Sequence, residues 1–177
     1  MQKTRNVILV GPMGSGKTAV GRELAARLGR AFVDVDDEIE ALAGKPITAI
    51  FADEGEDGFR LRECRALADA LSKPSLVIAT GGGAVLDAAS RAAMGGGGTV
   101  VYLRVDPREQ LNRVAGDTRR PLLVVANRGQ RLADLQAQRE AMYLEIANHV
   151  FDTSGHTPAS AADVLVALLA HPGGPTS

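Results

Sequence analysis

The chain predicts an α/β fold on a mainly parallel sheet, for two reasons. Short apolar runs alternate with stretches of helical periodicity, and the first run passes through a glycine loop straight into a helix. That first run, Val7–Val10, is continuous rather than alternating and stops at Gly11, the pattern of a strand buried on both faces. Beyond the loop, Val20, Leu24, Ala25 and Leu28 recur at helical spacing between Ala19 and Leu28, and Gly29 closes the helix. Further strands are expected at Ala31–Val33, Leu76–Ala79, Val100–Leu103 and Val150–Phe151. Helical patterns fill the gaps at Asp37–Ala43, Ile47–Ala52, Phe59–Leu71, Asp87–Ala93, Pro107–Val114, Leu132–Ala147 and Ala161–Ala170. Parallel neighbours need crossovers, and helices on both faces supply them. Gly95–Gly98 predicts a flexible turn before the fourth strand, and His171–Ser177 a flexible tail.

The 177 residues, 45% of them hydrophobic, suit one domain with a proper core, expected over residues 1–170. Lys+Arg 20 against Asp+Glu 21 leaves a formal charge of -1, so the broad positive field used by nucleic-acid and anionic-membrane binders is missing. Phosphate binding, where it occurs, must be local. The lone Cys64 excludes an intramolecular disulfide framework and fits a reducing compartment. The apolar run ending at Val10 is too short for a secretion signal, and no stretch approaches the ~20 apolar residues of a membrane span. The expectations are a cytoplasmic location, no nucleic-acid or membrane partner, and a monomer.

Gly11-Pro12-Met13-Gly14-Ser15-Gly16-Lys17-Thr18 matches G-x-x-x-x-G-K-[ST] at every fixed position and lies between a strand and a helix. Its glycines let consecutive N–H groups turn toward phosphate oxygens, and the helix N-terminus adds partial positive charge. Lys17 is placed to bridge β- and γ-phosphates and the Thr18 hydroxyl to ligate Mg²⁺. GTPases, ATPases and many kinases share this loop, so it leaves the acceptor open.

A second set of residues narrows the choice. Asp34 and Asp36 end the second strand two residues apart, which on a strand aims both carboxylates at the mouth of the sheet; the alternative is that Asp36 or Asp37 caps the next helix. Gly81-Gly82-Gly83 follows the third strand, where bare backbone can approach a ligand. Arg60, Arg120 and Arg139 offer guanidinium forks for a carboxylate or a transferring phosphoryl group. Asp106 before Pro107 reads as a helix cap rather than a metal ligand at a strand end. Phe51 and Phe59 read equally well as pocket walls or core, and Gly58 as a loosening of the helix start that aims Arg60.

Taken in order, GPMGSGKT, DVD, Ile50-Phe51 followed by GEDGFR and Glu63, GGGAV, TRRPLL and REAMY resemble the shikimate kinases from Asn6 to about Leu169. The resemblance implies a nucleoside-monophosphate-kinase-like sheet of five parallel strands in the order 2-3-1-4-5, with a lid over about 115–127. It implies transfer of phosphate from ATP to the 3-hydroxyl of shikimate with Mg²⁺ as cofactor. By the same resemblance, Gly14, Ser15, Gly16, Lys17, Thr18 and Ala19 hold the nucleotide's phosphates. Arg113 stacks on adenine and the loop around Ser154 to Pro158 covers the base's other side. Asp36 meets the acceptor hydroxyl, and Asp34 holds Mg²⁺ through water beside Thr18. Arg60 and Arg139 grip the shikimate carboxylate, Gly82 and Gly83 line the pocket, and Arg120 reaches the transferred phosphate from the lid.

Two rivals remain at the level of sequence. A gluconate-type sugar-acid kinase needs the same loop, clamp and lid, but the GGG run with RRPLL argues against it. A regulatory module that binds ATP without transfer has no need of Asp36, Arg60, Gly83 and Arg139 together.

Overall fold

The continuously apolar run forms β1 (Asn6–Val10), and a strand buried on both faces belongs in the middle of a sheet. β1 pairs on one side with β3 (Leu76–Ala79), matching Ile8 with Ile78, and on the other with β4 (Gly98–Arg104), matching Ile8 with Val100. β2 (Ala31–Asp34) and β5 (His149–Asp152) form the edges, so the order is β2-β3-β1-β4-β5 with every pair parallel. This is the order the resemblance implied. The computed structural model describes residues 5–116 and 126–170.

Alternate residues of β1 serve different layers. Ile8 and Val10 enter a core with Ile39, Ile50, Leu67, Met94 and Tyr143, while Val7 and Leu9 enter one with Val20, Leu24, Ala161 and Leu165. The first layer is supplied by α2 (Val35–Ala43), α3 (Ile47–Ser72), α4 (Ala88–Gly97) and α6 (Arg128–Ile146). The second comes from α1 (Lys17–Leu28) and α7 (Pro158–Ala170). α5 (Pro107–Val114) stands at the end of β4, and its Val114 joins Met13, Leu132 and Leu135 in a small apolar cluster beside the glycine loop. As the sequence suggested, Asp106 caps α5, accepting from Arg108 N at 2.9 Å and Glu109 N at 3.3 Å.

Four local expectations need correction. Asp36 is not on a strand, because α2 begins at Val35; Asp34 is its cap and accepts from Asp36 N at 3.0 Å. Gly95–Gly97 form the last turn of α4 and Gly98 opens β4, so no loop separates them. The two helices expected at Ile47–Ala52 and Phe59–Leu71 are one element, α3, broken only at Gly55, whose φ of 71° and ψ of -175° suit glycine alone. Gly58 lies inside the restarted helix rather than before it. A Cβ there would come within 2.5 Å of Glu54 Cβ, so the bare backbone makes room for Glu54 rather than loosening the aim of Arg60. Phe59 is buried in the core, and the partly buried Phe51 packs against it with ring centroids 4.7 Å apart and planes tilted by 35°.

Charged side chains clamp the break in α3. Arg62 reaches back over it to Glu54 with contacts of 2.9 Å and 3.0 Å, and Lys45 Nζ joins Glu54 at 3.1 Å and Asp53 at 2.8 Å. The hydrogen bonds from Arg62 and then Lys45 bring the Glu54 carboxyl from 4.5 down to about 2. A carboxyl with a depressed folded pKa stabilises the protein above its unfolded pKa and loses that effect as pH falls through the folded one. The Tm difference between the wild type and Glu54→Gln is therefore expected to be constant above about pH 5. It should shrink between pH 4.5 and about 2 and be reduced by salt throughout. Gly95 and Gly96 are exposed helical positions where an added methyl meets no atom within 4 Å. Gly95→Ala and Gly96→Ala are each expected to raise the unfolding free energy by about 0.5–1 kcal/mol in a urea titration, by restricting the unfolded chain.

Candidate active site

Residues 11–16 turn from β1 into α1 with three glycines at positive φ: Gly11 (146°), Gly14 (77°) and Gly16 (93°). Gly16 caps α1 without a side-chain hydrogen bond, and the helical ladder starts with Val20 N donating to Gly16 O at 2.8 Å. The first turn of N–H groups thus lies outside the ladder, and no acidic residue in that turn offsets its partial charge. Lys17 is buried, with Nζ donating to Gly11 O and Pro12 O, both at 2.8 Å. The buried Ser15 Oγ has no hydrogen-bond partner among the described residues. A concave set of donors with an ammonium at its centre suits an anion of several oxygens.

One flank of this loop is built by α5 and the segment after β5. Arg113 Nη1 donates to Gly14 O at 3.1 Å and to Thr153 Oγ1 at 3.0 Å, while Nη2 reaches Thr153 O at 3.1 Å and pairs with Glu109. Gln110, also buried, donates to Met13 O at 2.9 Å. Gly155 N donates to Glu109 Oε2 at 3.0 Å, which ties the loop ahead of Pro158 to the helix carrying Arg113.

The other flank holds the carboxylates and arginines. Thr18 Oγ1 donates to Asp34 Oδ2 at 2.5 Å, so the capping aspartate also faces the start of α1. Glu63, only 2% exposed, accepts from Arg60 Nη1 at 2.7 Å. The three glycines after β3 are packed by this charged group. A Cβ on Gly81 would lie 2.5 Å from Glu63 Oε1 and 3.2 Å from Asp36 Oδ1, and one on Gly83 would lie 2.4 Å from Arg60 Nη1. On Gly82 it would lie 3.4 Å from Met13 N, 3.5 Å from Arg139 Nη1 and 3.6 Å from Gly11 O. The glycine loop after β1 and the Arg139 guanidinium therefore meet across Gly82.

The electrostatics of this group are set by burial. Arg139 is 3% exposed and takes part in none of the ion pairs found among the described residues. Burial, with repulsion from Arg60, pulls its pKa down, and its Nε lacks a hydrogen-bond partner among those residues. Burial pushes Glu63 up despite the neighbouring Arg60, and Asp36 adds to the rise. Burial lowers Arg60, but Glu63 more than restores it. A cation held in the interior without a full counter-charge is a site prepared for an anionic group.

The sequence-derived residues thus fall into place as follows. Gly14, Ser15, Gly16, Lys17, Thr18 and Ala19 form the loop and first turn, with Arg113 against the loop and Pro158 opening α7. Asp34, Asp36, Arg60, Gly82, Gly83 and Arg139 gather on the opposite flank. Arg120, the core of the expected lid and the tail after Ala170 lie outside the described residues.

Comparison with known proteins decides the family. The profile for shikimate kinase matches residues 13–170. The chain is 49% identical over 170 residues to a shikimate kinase of Stenotrophomonas maltophilia, covering 96% of this chain and 94% of the relative. A shikimate kinase of Methylococcus capsulatus is 47% identical over 161 residues, covering 91% and 90%. Among solved structures, shikimate kinase from Acinetobacter baumannii in complex with shikimate superposes with a TM-score of 0.93 at 44% identity, covering 96% and 94%. The chain belongs to the shikimate kinase family.

Membership in the shikimate kinases explains why so many charged groups are buried around a glycine run, and shows what motif reading undervalued. In the sequence Glu63 stands out only within a motif, although its spacing of three from Arg60 puts both on one helix face. Tyr143, four residues after Arg139, closes the REAMY motif, and its hydroxyl donates to Gly82 O at 2.5 Å. Metal chemistry leaves a lighter trace. No group of three or more His, Cys, Asp or Glu able to hold a metal exists among the described residues. Thr18 and Asp34 do suit Mg²⁺, an ion that takes most of its ligands from phosphates and water.

Proposed function

We propose that the chain transfers the γ-phosphoryl group of ATP to the 3-hydroxyl of shikimate, giving ADP and shikimate 3-phosphate on the route to chorismate and the aromatic amino acids. The observation that carries this reading is the meeting of the phosphate loop and a buried guanidinium across Gly82, within 3.6 Å of the Cβ the glycine lacks. An alcohol whose carboxylate is gripped by Arg139 and Arg60 stands on the same rim as the terminal phosphate of a nucleotide lying in the loop.

In this reading the N–H groups from Gly14 to Ala19 and the Lys17 ammonium carry the β- and γ-phosphates, and Arg113 and Pro158 flank the adenine. Thr18, and Asp34 through water, hold Mg²⁺, which when bound shields phosphate charge from the incoming oxygen. Asp36 accepts the proton of the 3-hydroxyl as its oxygen bonds to the γ-phosphorus and the bond to the bridging β,γ oxygen breaks, releasing ADP. Gly82 and Gly83 leave the acceptor ring room beside the arginines. Arg120 neutralises the transferring group from a lid at about 115–127 that keeps water from competing as acceptor. The domain spans residues 1–170 and works as a cytoplasmic monomer on small molecules. Among the described residues no helix is long and apolar enough to cross a membrane.

ADP release measured across a panel of hydroxylated carboxylic acids is expected to depend on shikimate. Turnover of gluconate with none of shikimate would place the chain with the sugar-acid kinases instead. Asp36→Asn should abolish transfer while ATP still binds, and transfer near the wild-type rate would refute the role given to Asp36. Lys17→Met should cost about 2–4 kcal/mol of transition-state stabilisation, roughly thirtyfold to a thousandfold in kcat. An unchanged rate would contradict the phosphate-loop assignment.

A further inference from the structure

We propose that the Tyr143 hydroxyl is a positioning group for this transfer, fixing the Gly82 peptide against which Arg139 lies and so setting the separation of acceptor pocket and phosphate loop. The inference rests on the function proposed above. Tyr143 is 1% exposed and donates to Gly82 O at 2.5 Å, while Arg139, one turn earlier on α6, has Nη1 3.5 Å from the position of a Cβ on Gly82. A phenol hydroxyl has one proton to give, and here it goes to the Gly82 carbonyl. Burial, above all, pushes the Tyr143 pKa well up, and the group stays a proton donor throughout the range in which an enzyme works.

Packing accounts for the ring but not for the hydroxyl. The Tyr143 ring stacks on Tyr102 of β4 at 4.9 Å with 25° between planes, and a phenylalanine would fill the same space. A buried hydroxyl is costly unless it is bonded, and this one is bonded to the acceptor side of the site. Gly82 is where that side touches the phosphate loop, through Met13 N and Gly11 O. Removing the hydroxyl leaves Arg139 its charge but frees the Gly82 peptide that it lies against. Displacement of reacting groups by even about 1 Å is enough to slow a transfer that depends on alignment. The loop that holds ATP keeps its own anchors, Lys17 to Gly11 O and Pro12 O and Gln110 to Met13 O.

The test compares Tyr143→Phe with Tyr102→Phe. The second variant removes a hydroxyl from the same stack, one bonded to Gln136 Nε2 at 2.7 Å rather than to the site. Both are made in the Gly95→Ala, Gly96→Ala background, which offsets loss of stability. Steady-state rates are measured with shikimate and ATP varied separately. Tyr143→Phe is expected to raise KM for shikimate about tenfold, the size of one buried hydrogen bond, and to lower kcat, while KM for ATP stays within about twofold. Tyr102→Phe should behave as its parent. An unchanged KM for shikimate in Tyr143→Phe overturns the proposal. So does a parallel rise in KM for both substrates, or the same shift in Tyr102→Phe, since either marks general loosening. A parent enzyme that does not turn over shikimate refutes the underlying function instead, so the two failures are distinct.

Discussion

The rest of the site depends on one junction, the Gly82 peptide. Met13 N and Gly11 O from the phosphate loop and Nη1 of Arg139 from α6 all come within 3.6 Å of the position a Cβ would take there. Two segments far apart in sequence, the phosphate loop and α6, converge on one peptide, and its neighbours Gly81 and Gly83 are the positions where a Cβ would run into Glu63 and Arg60. The parallel sheet makes the meeting possible, because the loops after β1, β2 and β3 all leave the same edge.

Around this point the protein keeps an unusual concentration of ionic groups out of water. Glu63 is the hub: it accepts from Arg60, lies beside Gly81 with Asp36, and shares the field of Arg139. Burial lifts the Glu63 pKa and lowers that of Arg139, so it works against the charged form of each. Under the proposed function, a substrate carboxylate beside Arg139 offsets part of that cost.

The fold and half of the site were legible in the sequence because their signals are local. The phosphate loop occupies eight consecutive residues, and Asp106-Pro107 announces α5 by its own chemistry. The readings that failed needed tertiary information. Asp34 suits a strand end and a helix cap alike, and only its bonds to Asp36 N and Thr18 decide between them. Gly95–Gly97 look like a loop, but Met94 sits in the core and a Cβ on Gly97 would lie 3.0 Å from Leu71, so packing on α3 holds the turn helical against its propensity. The burial of Arg139 could not be read from its helix, because it arises from the sheet, the Gly82 peptide and Tyr143 closing around it.

The poorly compensated guanidinium of Arg139 also bears on resilience. Desolvating an ion without a full partner works against folding, and an apolar residue of similar volume in its place would make a sturdier protein with nothing to hold an acid. Selection for heat tolerance alone would therefore push this position toward inert packing, and only selection for turnover holds it where it is. Stabilising the scaffold without dulling the enzyme means working far from α6, on surfaces that never meet the acceptor.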